Sequence, residues 1–462
     1  MQTANLVLDW YGPLLSKVLF PAFEAARGRP TVPLTEYLHE TQWWSHARLQ
    51  DLQAGFLRRL VRHAYAHTAY YREVMDARGV KPFDIESVDD IAKLPVLDRD
   101  TTRSTIDART TDAPPHWVIR KQTSGSTGQP SVVRYNAESR HWRDATRWRG
   151  YGWGGYRLGM RALHYWGHTP PSSSRITRTK IAIDHALKRD IYMDCTPRGD
   201  AALMNVVETI RRKKPSVIVA YAAGAAALAR FINAKNLRDW DDIPTLVGAE
   251  RLWPAEREQM ERAFGPAFET YGCREVMLIG AECEAHDGMH ASMENLVVEL
   301  LVREPDGGYR AARPGEVGEV AITDLHNLAC PMIRYLNGDA AVAQDQTPCA
   351  CGRGLGKLGP IEGRVTETLR DGNGAAVSGL VFNVLFGALQ DIARKFQIVQ
   401  RVDGSVVMKL VPTQARVPED QVAMIHAFAE KYLPGAPFAI EHVDDIPLTG
   451  AGKRKVVVVE TA

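Results

Sequence analysis

From residue 122 to 130 the chain reads Gln122-Thr-Ser-Gly-Ser-Thr-Gly-Gln-Pro130. Small residues let backbone amides approach phosphate oxygens closely, and the hydroxyls of Ser124, Ser126 and Thr127 add donors, so the segment reads as a phosphate cradle. An ordinary surface turn uses the same residue types. No lysine follows the second glycine, so the loop does not fit G-x-x-x-x-G-K-[ST], which disfavours a P-loop NTPase.

A second constellation is built on sulfur. Cys283 and His290 are separated by a short segment containing Gly288, and Cys349-Ala-Cys351-Gly-Arg353 places two thiols on a tight turn. Two such pairs match a closed tetrahedral Cys₃His zinc site, which leaves no open position for catalysis and is therefore read as structural. His286 competes with His290 for the fourth place, and reduced buried cysteines are the plainer alternative. Cys349 and Cys351 lie too close for an ordinary bridge, and Cys195, Cys273 and Cys330 have no ligand-like spacing and are expected to pack.

These groups need elements to hold them. Leu49, Leu52, Phe56, Leu60 and Ala64 recur at helical spacing within 34–80, predicting an N-terminal helical segment. Ser216 to Ala220 and Pro244 to Gly248 read as strands, each followed by a helix, from Ala222 and from Pro254. That alternation is α/β layering. Asn295 to Val302 and Gly318 to Thr323 read as strands joined around Asp306 to Gly308, an antiparallel β portion. Phe396 to Val402 and Ser405 to Val411 flank Asp403-Gly404 as a hairpin, with a helix over 418–432 and a strand near 455–459.

The expected fold class is thus α/β: a large multi-layer N-terminal domain over 1–363, with a helical lead-in over 1–115 and an antiparallel β portion, and a small mobile α+β domain over 364–462. A chain of 462 residues suits more than one core. With 57 basic and 55 acidic residues the net charge of +2 produces no field that would gather nucleic acid. The best apolar stretch, Leu6 to Phe23, is broken by Asp9, Lys17 and two prolines, so no membrane span and no secretory signal are expected, and the cytoplasm is the expected location. Packing of residues 5–25 onto the body is favoured over amphipathic docking.

The loop over Thr123, Ser124, Gly125, Ser126, Thr127 and Gly128 resembles T-S-G-[ST]-T-G-x-P, the signature of the adenylate-forming superfamily. Further motifs agree in order. Tyr271-Gly-Cys-Arg-Glu275 is similar to Y-G-x-[TS]-E, and Gly318-Glu-Val-Ala-Ile-Thr323 to G-E-[LV]-x-[IV]-T. Cys330-Pro-Met-Ile-Arg-Tyr-Leu-Asn-Gly-Asp339 resembles P-x-I-R-Y-x-[TN]-G-D, Gly363-Arg364 resembles the interdomain hinge, and Pro447-Leu-Thr-Gly-Ala-Gly-Lys453 resembles P-x-T-x-x-G-K. The chain is most similar to the phenylacetate–CoA ligase branch, including relatives encoded with capsular polysaccharide genes. Glu40-Thr-Gln-Trp-Trp44, the stretch Arg62 to Tyr71, and the C-x₆-H with C-x-C-G-R arrangement resemble that branch too.

The resemblance implies an AMP-forming ligase that activates a carboxylic acid with ATP and Mg²⁺ as acyl-AMP, then transfers the acyl group to coenzyme A. It implies that Ser124, Ser126 and Thr127 hold the β/γ-phosphates, that Glu275 helps place Mg²⁺, and that Tyr271 and Gly272 lie near the adenine. Asp339 would accept from the ribose hydroxyls, Arg364 would support the nucleotide, and Lys453 would be the catalytic cation. Such catalysis is positioning plus electrostatic stabilisation.

An aromatic slot of Tyr165, Trp166 and Tyr221 beside Gly248 would suit an aryl acid, although such residues more often form core. Three departures from the family pattern stand out: Thr366 replaces the usual acidic residue after the hinge, Gln129 replaces Lys or Arg, and 369–380 lack the R-G-x-N-V-F-P run of the phenylacetate ligases. Adenylation of an unusual oxyacid, an amine acceptor, and a non-catalytic nucleotide-binding scaffold are the alternatives. The acid and its acceptor are the expected partners, with a homodimer left open.

Overall fold

Val217–Tyr221 is apolar and buried at every position, as a strand covered on both faces requires. A computed structural model describes residues 10–112, 118–122, 132–167, 175–197, 199–364, 368–374, 376–378, 382, 385, 393–413, 417–447 and 456–460. Before the first strands come the helices Thr31–Thr41, His46–His67 and Ala69–Ala77. Ser45 accepts the Arg48 N–H and Thr68 the Tyr71 N–H, so each of the last two helices starts at a side-chain cap. The helical segment expected over 34–80 is thus built of several helices. Its buried stripe runs through Leu49, Gln53, Leu57, Leu60 and Ala64, leaving Leu52 and Phe56 half-buried at the margin.

A two-stranded ribbon follows, β1 (Val118–Gln122) antiparallel to β2 (Val132–Asn136). The strands of the main sheet are β3 (Ala162–Trp166), β4 (Asp190–Asp194), β5 (Val217–Tyr221), β6 (Thr245–Gly248), β7 (Ala267–Cys273), β8 (Met277–Glu282) and β9 (Met289–Ala291). Together with β14 (Lys357–Leu358) they take the order β14-β9-β8-β7-β6-β5-β3-β4 among the described residues. From β7 to β4 neighbouring strands are parallel; from β7 to β14 they are antiparallel. Helices Asp200–Lys213, Ala222–Ala234 and Pro254–Ala263 bury Val206, Ala226 and Met260 in one core with β3, β5 and β6.

A second sheet is antiparallel, as the sequence predicts for this region: β10 (Leu296–Arg303), β11 (Tyr309–Ala311), β12 (Val317–Asp324), β13 (Tyr335–Val342) and β15 (Ile361–Arg364), in the order β11-β10-β12-β13-β15. The turn at Asp306 to Gly308 joins β10 to β11, an intervening strand absent from the sequence reading. Tyr271, Ile279, Met289, Leu296, Val320, Ile322 and Ala341 pack the two sheets together.

The remaining strands are β16 (Thr368–Arg370), β17 (Ala376–Ser378), β18 (Ala393–Gln400), β19 (Val406–Pro412), β20 (Phe438–His442) and β21 (Val457–Val459). The last four form a sheet ordered β20-β19-β18-β21 with the helix Glu419–Tyr432 against it. Its hairpin turns at Gly404, φ 83°, the left-handed backbone that Asp-Gly supplies cheaply. Leu369, Phe382, Ile398, Met408, Leu410 and Ile425 form its core, joined by one residue from far upstream, Trp253.

Candidate functional site

Tyr271 and Asp339 come from different sheets, β7 and β13, and meet at the seam between them. The Tyr271 phenol donates to Asp339 Oδ2 at 3.0 Å. Asn337 Nδ2 donates to the phenolic oxygen at 2.7 Å and to Asp339 Oδ2 at 3.0 Å, while the Asp339 N–H donates to Asn337 Oδ1 at 2.9 Å. Asn337 thus props the carboxylate from two residues away, a role the sequence reading did not assign; the short Asn-Gly-Asp span, with Gly338 at φ 81° within β13, was the available signal. Burial, and then the Asp339 charge, pushes Tyr271 well above the ordinary tyrosine value, so it stays a proton donor. Gly272 follows at a β-bulge where a Cβ would lie 2.2 Å from the Met277 carbonyl, so only glycine fits without a shift.

Glu275 sits in the turn between β7 and β8, half-buried. It shares a small pocket with Arg109, Val132, Arg134, Cys330, Met332 and Tyr335. Its charge adds to burial in pushing the neighbouring Cys273 thiol up. The segment Thr123, Ser124, Gly125, Ser126, Thr127 and Gly128 lies outside the described residues, but Gln122 and Val132, which bracket it, are register partners in β1 and β2. Val132 lines the Glu275 pocket, so the first described residue after that segment stands beside the carboxylate. Arg364 ends β15 as the register partner of Asp339. Lys453, Thr366 and Glu367 lie outside the described residues.

Trp166, Tyr221 and Gly248 stand at the carboxyl ends of the adjacent parallel strands β3, β5 and β6, the end of an open α/β sheet at which ligands bind. Trp166 and Tyr221 meet edge to face, centroids 4.4 Å apart, and Tyr221 pairs in register with Gly248. Tyr165 points into the core, 1% exposed.

On the opposite, antiparallel side of the sheet, Cys283, His290, Cys349 and Cys351 bring their ligand atoms within 4.8 Å of one another. Tetrahedral zinc with Zn–S bonds of about 2.3 Å requires S···S separations of about 3.8 Å; Cys283 Sγ and Cys349 Sγ are 3.8 Å apart. His290 Nε2 is 3.2 Å from Cys351 Sγ, and its Nδ1 faces the Leu355 carbonyl at 3.2 Å, the outer partner that leaves Nε2 free as a ligand. Burial, with Arg353 adding, takes His290 down to about 4, so the ring is neutral. The histidine is His290; His286 stacks on Phe268 at 4.9 Å and faces Glu282 instead. Gly288 lets the chain return, with φ 77° and Gln344 Oε1 where a Cβ would stand.

The tryptophan-rich N-terminal motif proves to be a clamp on this cluster. Gln42 Oε1 accepts from Trp153 Nε1 at 2.8 Å and from Arg353 Nε at 3.1 Å, and its carbonyl accepts the Gly354 N–H at 3.0 Å. Thr41 donates to Glu294, whose carboxylate also holds the fully buried Arg149.

Residues 369–460 match the family model described as CapK C-terminal domain. Over 378 residues the chain is 25% identical to the phenylacetate-coenzyme A ligase of Thermus thermophilus, covering 80% of this chain and 82% of that protein. It is 20% identical over 414 residues to Protein CapK of Staphylococcus aureus, covering 89% of each. In fold it is similar to a 2-hydroxyisobutyryl-CoA ligase in the postadenylation state in complex with R3-HIB-AMP, with a TM-score of 0.69, 17% identity and 91% of each chain covered. Ordered motifs, relatives that span most of the chain and the shared fold thus make this chain similar to the phenylacetate-coenzyme A ligases and to CapK, and its fold that of an adenylate-forming ligase.

Proposed function

We propose that this ligase activates a carboxylic acid with ATP as acyl-AMP, releasing pyrophosphate, and passes the acyl group to coenzyme A. The observation that carries the reading is the Tyr271–Asn337–Asp339 triangle, which leaves a braced carboxylate at the seam of two sheets, on the register partner of the hinge residue Arg364. In this reading Asp339 accepts from the ribose hydroxyls and Tyr271 and Gly272 border the adenine. Ser124, Ser126 and Thr127, with the amides from Thr123 to Gly128, hold the phosphates, and Arg364 supports the nucleotide. The acid carboxylate must approach a charged α-phosphate, and Lys453 offsets the charge that builds up as it does. Glu275 would hold Mg²⁺, which neutralises phosphate charge when bound.

The edge-to-face pair Trp166 and Tyr221 supports an aryl or related organic acid lying at the strand ends near Gly248, with Tyr165 backing it from the core. Residues 1–363 form the larger unit and 364–462 the smaller one, which closes for adenylation and turns for transfer. The 3.8 Å thiolate spacing supports a structural zinc on Cys283, His290, Cys349 and Cys351, tying β8 and β9 to the loop before β14. In this reading the reaction runs in the cytoplasm, where ATP and coenzyme A are at hand.

The match of residues 369–460 to a CapK domain, together with the missing phenylacetate-ligase run, favours as a second reading an acceptor other than coenzyme A. Acid-dependent pyrophosphate release with MgATP, over a panel of aryl and aliphatic acids with and without coenzyme A, tests both. Release that depends on one acid and rises with coenzyme A supports the first reading; release indifferent to coenzyme A supports the second; no release with any acid overturns both.

A further inference from the structure

The loop between β6 and the helix Pro254–Ala263 is tied at every residue from 250 to 253. The Glu250 carboxylate accepts the Ala223 N–H at 3.0 Å, in the first turn of the helix that Tyr221 opens. Arg251 Nη1 reaches Glu362 Oε2 at 2.6 Å, and both side chains are largely shielded, 21% and 11% exposed. The Leu252 N–H donates to the buried Glu269 carboxylate at 3.1 Å. Trp253, 7% exposed, is counted in the core that otherwise begins at Leu369, and the Arg251 guanidinium lies 4.2 Å from its ring centroid. Ala249 opens the loop at φ 68°, a left-handed backbone costly for a residue with a Cβ, so the surroundings force this path.

One short loop therefore touches three places. It begins beside Gly248 at the acid-pocket end of the sheet, it grips the residue before the Gly363-Arg364 hinge, and it inserts an aromatic ring into the core of the C-terminal elements. We infer that Arg251 and Trp253 are positioning residues that dock the C-terminal unit against the acid pocket for adenylate formation and release it for acyl transfer. This rests on the reading that residues 364–462 carry Lys453 to and from the acid site. The Arg251–Glu362 pair sets where the hinge strand leaves the large unit; the Trp253 ring sets the face on which the small unit lands. A Trp253 that merely filled a core would stabilise the fold and favour neither half-reaction.

The test uses the full chain with Trp253→Leu, Arg251→Gln, Glu362→Gln and the Arg251→Gln/Glu362→Gln double variant. Three quantities are read: acid-dependent ATP–pyrophosphate exchange, acyl transfer from supplied acyl-AMP to coenzyme A, and the solution radius of gyration by X-ray scattering. The expected result is an exchange rate lowered by about tenfold or more in each single variant, with transfer changed by less than about threefold. The double variant is expected to be no worse than the poorer single one, because the two residues act as a pair. The radius should increase in Trp253→Leu while the circular-dichroism spectrum is unchanged. Equal losses in both half-reactions, or exchange at the wild-type rate, would overturn the docking role. Wild-type protein that shows no exchange with any acid would sink the ligase reading instead; the scattering comparison then stands alone, and an unchanged radius in all variants overturns the docking.

Discussion

Tyr271 and Asp339, which lie on strands of two different sheets, share a hydrogen bond of 3.0 Å that Asn337 braces from the side. The arrangement holds the Asp339 carboxylate in one orientation, the preorganisation that the proposed ribose contact would use.

Asp339→Ala should raise the KM for ATP by about tenfold or more, since a part-buried charged acceptor paired to two hydroxyls contributes roughly 1.5–3 kcal/mol. Asn337→Ala should give a smaller rise of the same kind, because it loosens the carboxylate without removing it. Steady-state pyrophosphate release against ATP concentration measures both; an unchanged KM in Asp339→Ala would remove the ribose assignment.

Lys453→Ala should lower acid-dependent adenylate formation by about 10²-fold or more, while ATP binding measured by calorimetry stays within a few-fold of wild type. Equal turnover in the variant and the wild type would strip Lys453 of its catalytic role.

Protein purified without chelator should carry about one zinc per chain, and Cys349→Ser should both lose the metal and melt lower. Elemental analysis and thermal unfolding read these out. A metal-free protein that melts at the same temperature as the metal-loaded one would contradict the structural zinc.

Burial, and then the charge of Glu282, raises Glu269 from its usual value to about 7. Between about pH 4.5 and pH 7 the folded protein holds a proton there that the unfolded chain has lost, so stability from this group is full at low pH and falls as pH rises. Glu269→Gln should therefore melt higher than wild type at pH 8, by a free-energy difference on the order of 1–3 kcal/mol, and lose that advantage near pH 5. A pH-independent difference would show that the carboxyl does not titrate in this range.

Trp166→Ala should slow turnover of aryl acids more than of short aliphatic ones, because the edge-to-face partner of Tyr221 is lost. Competition between the two acid classes in one assay reads the change; a uniform loss would place the acid elsewhere.

Much of this was legible locally. Strand and helix patterns at 217–234 and 245–263 carry their own period, so their boundaries came out within a residue or two. The Cys-x-Cys pair and the Tyr-Gly and Asn-Gly-Asp runs, the last two at irregularities within β7 and β13, are short-range features whose geometry the neighbouring residues nearly dictate. Periodicity over 34–80 marks the segment as helical but not where it divides, because Ser45 and Thr68 act as caps only where the chain bends.

Residue types and spacing alone thus carried the resemblance to the adenylate-forming ligases, the strand–helix alternation over 217–263 and the two pairs of metal-type ligands. Tertiary structure decided which groups meet. It selected His290 over His286, because pairing of β9 with β8 and β14 carries the first into the sulfur cluster while the left-handed backbone at the second, φ 50°, turns it onto Phe268. It joined Tyr271 to Asp339, Gln42 to Arg353 and Trp253 to a core that starts at Leu369. Each of these contacts spans tens to hundreds of residues, and local propensity carries no information about such distances; they follow from how sheets and helices pack.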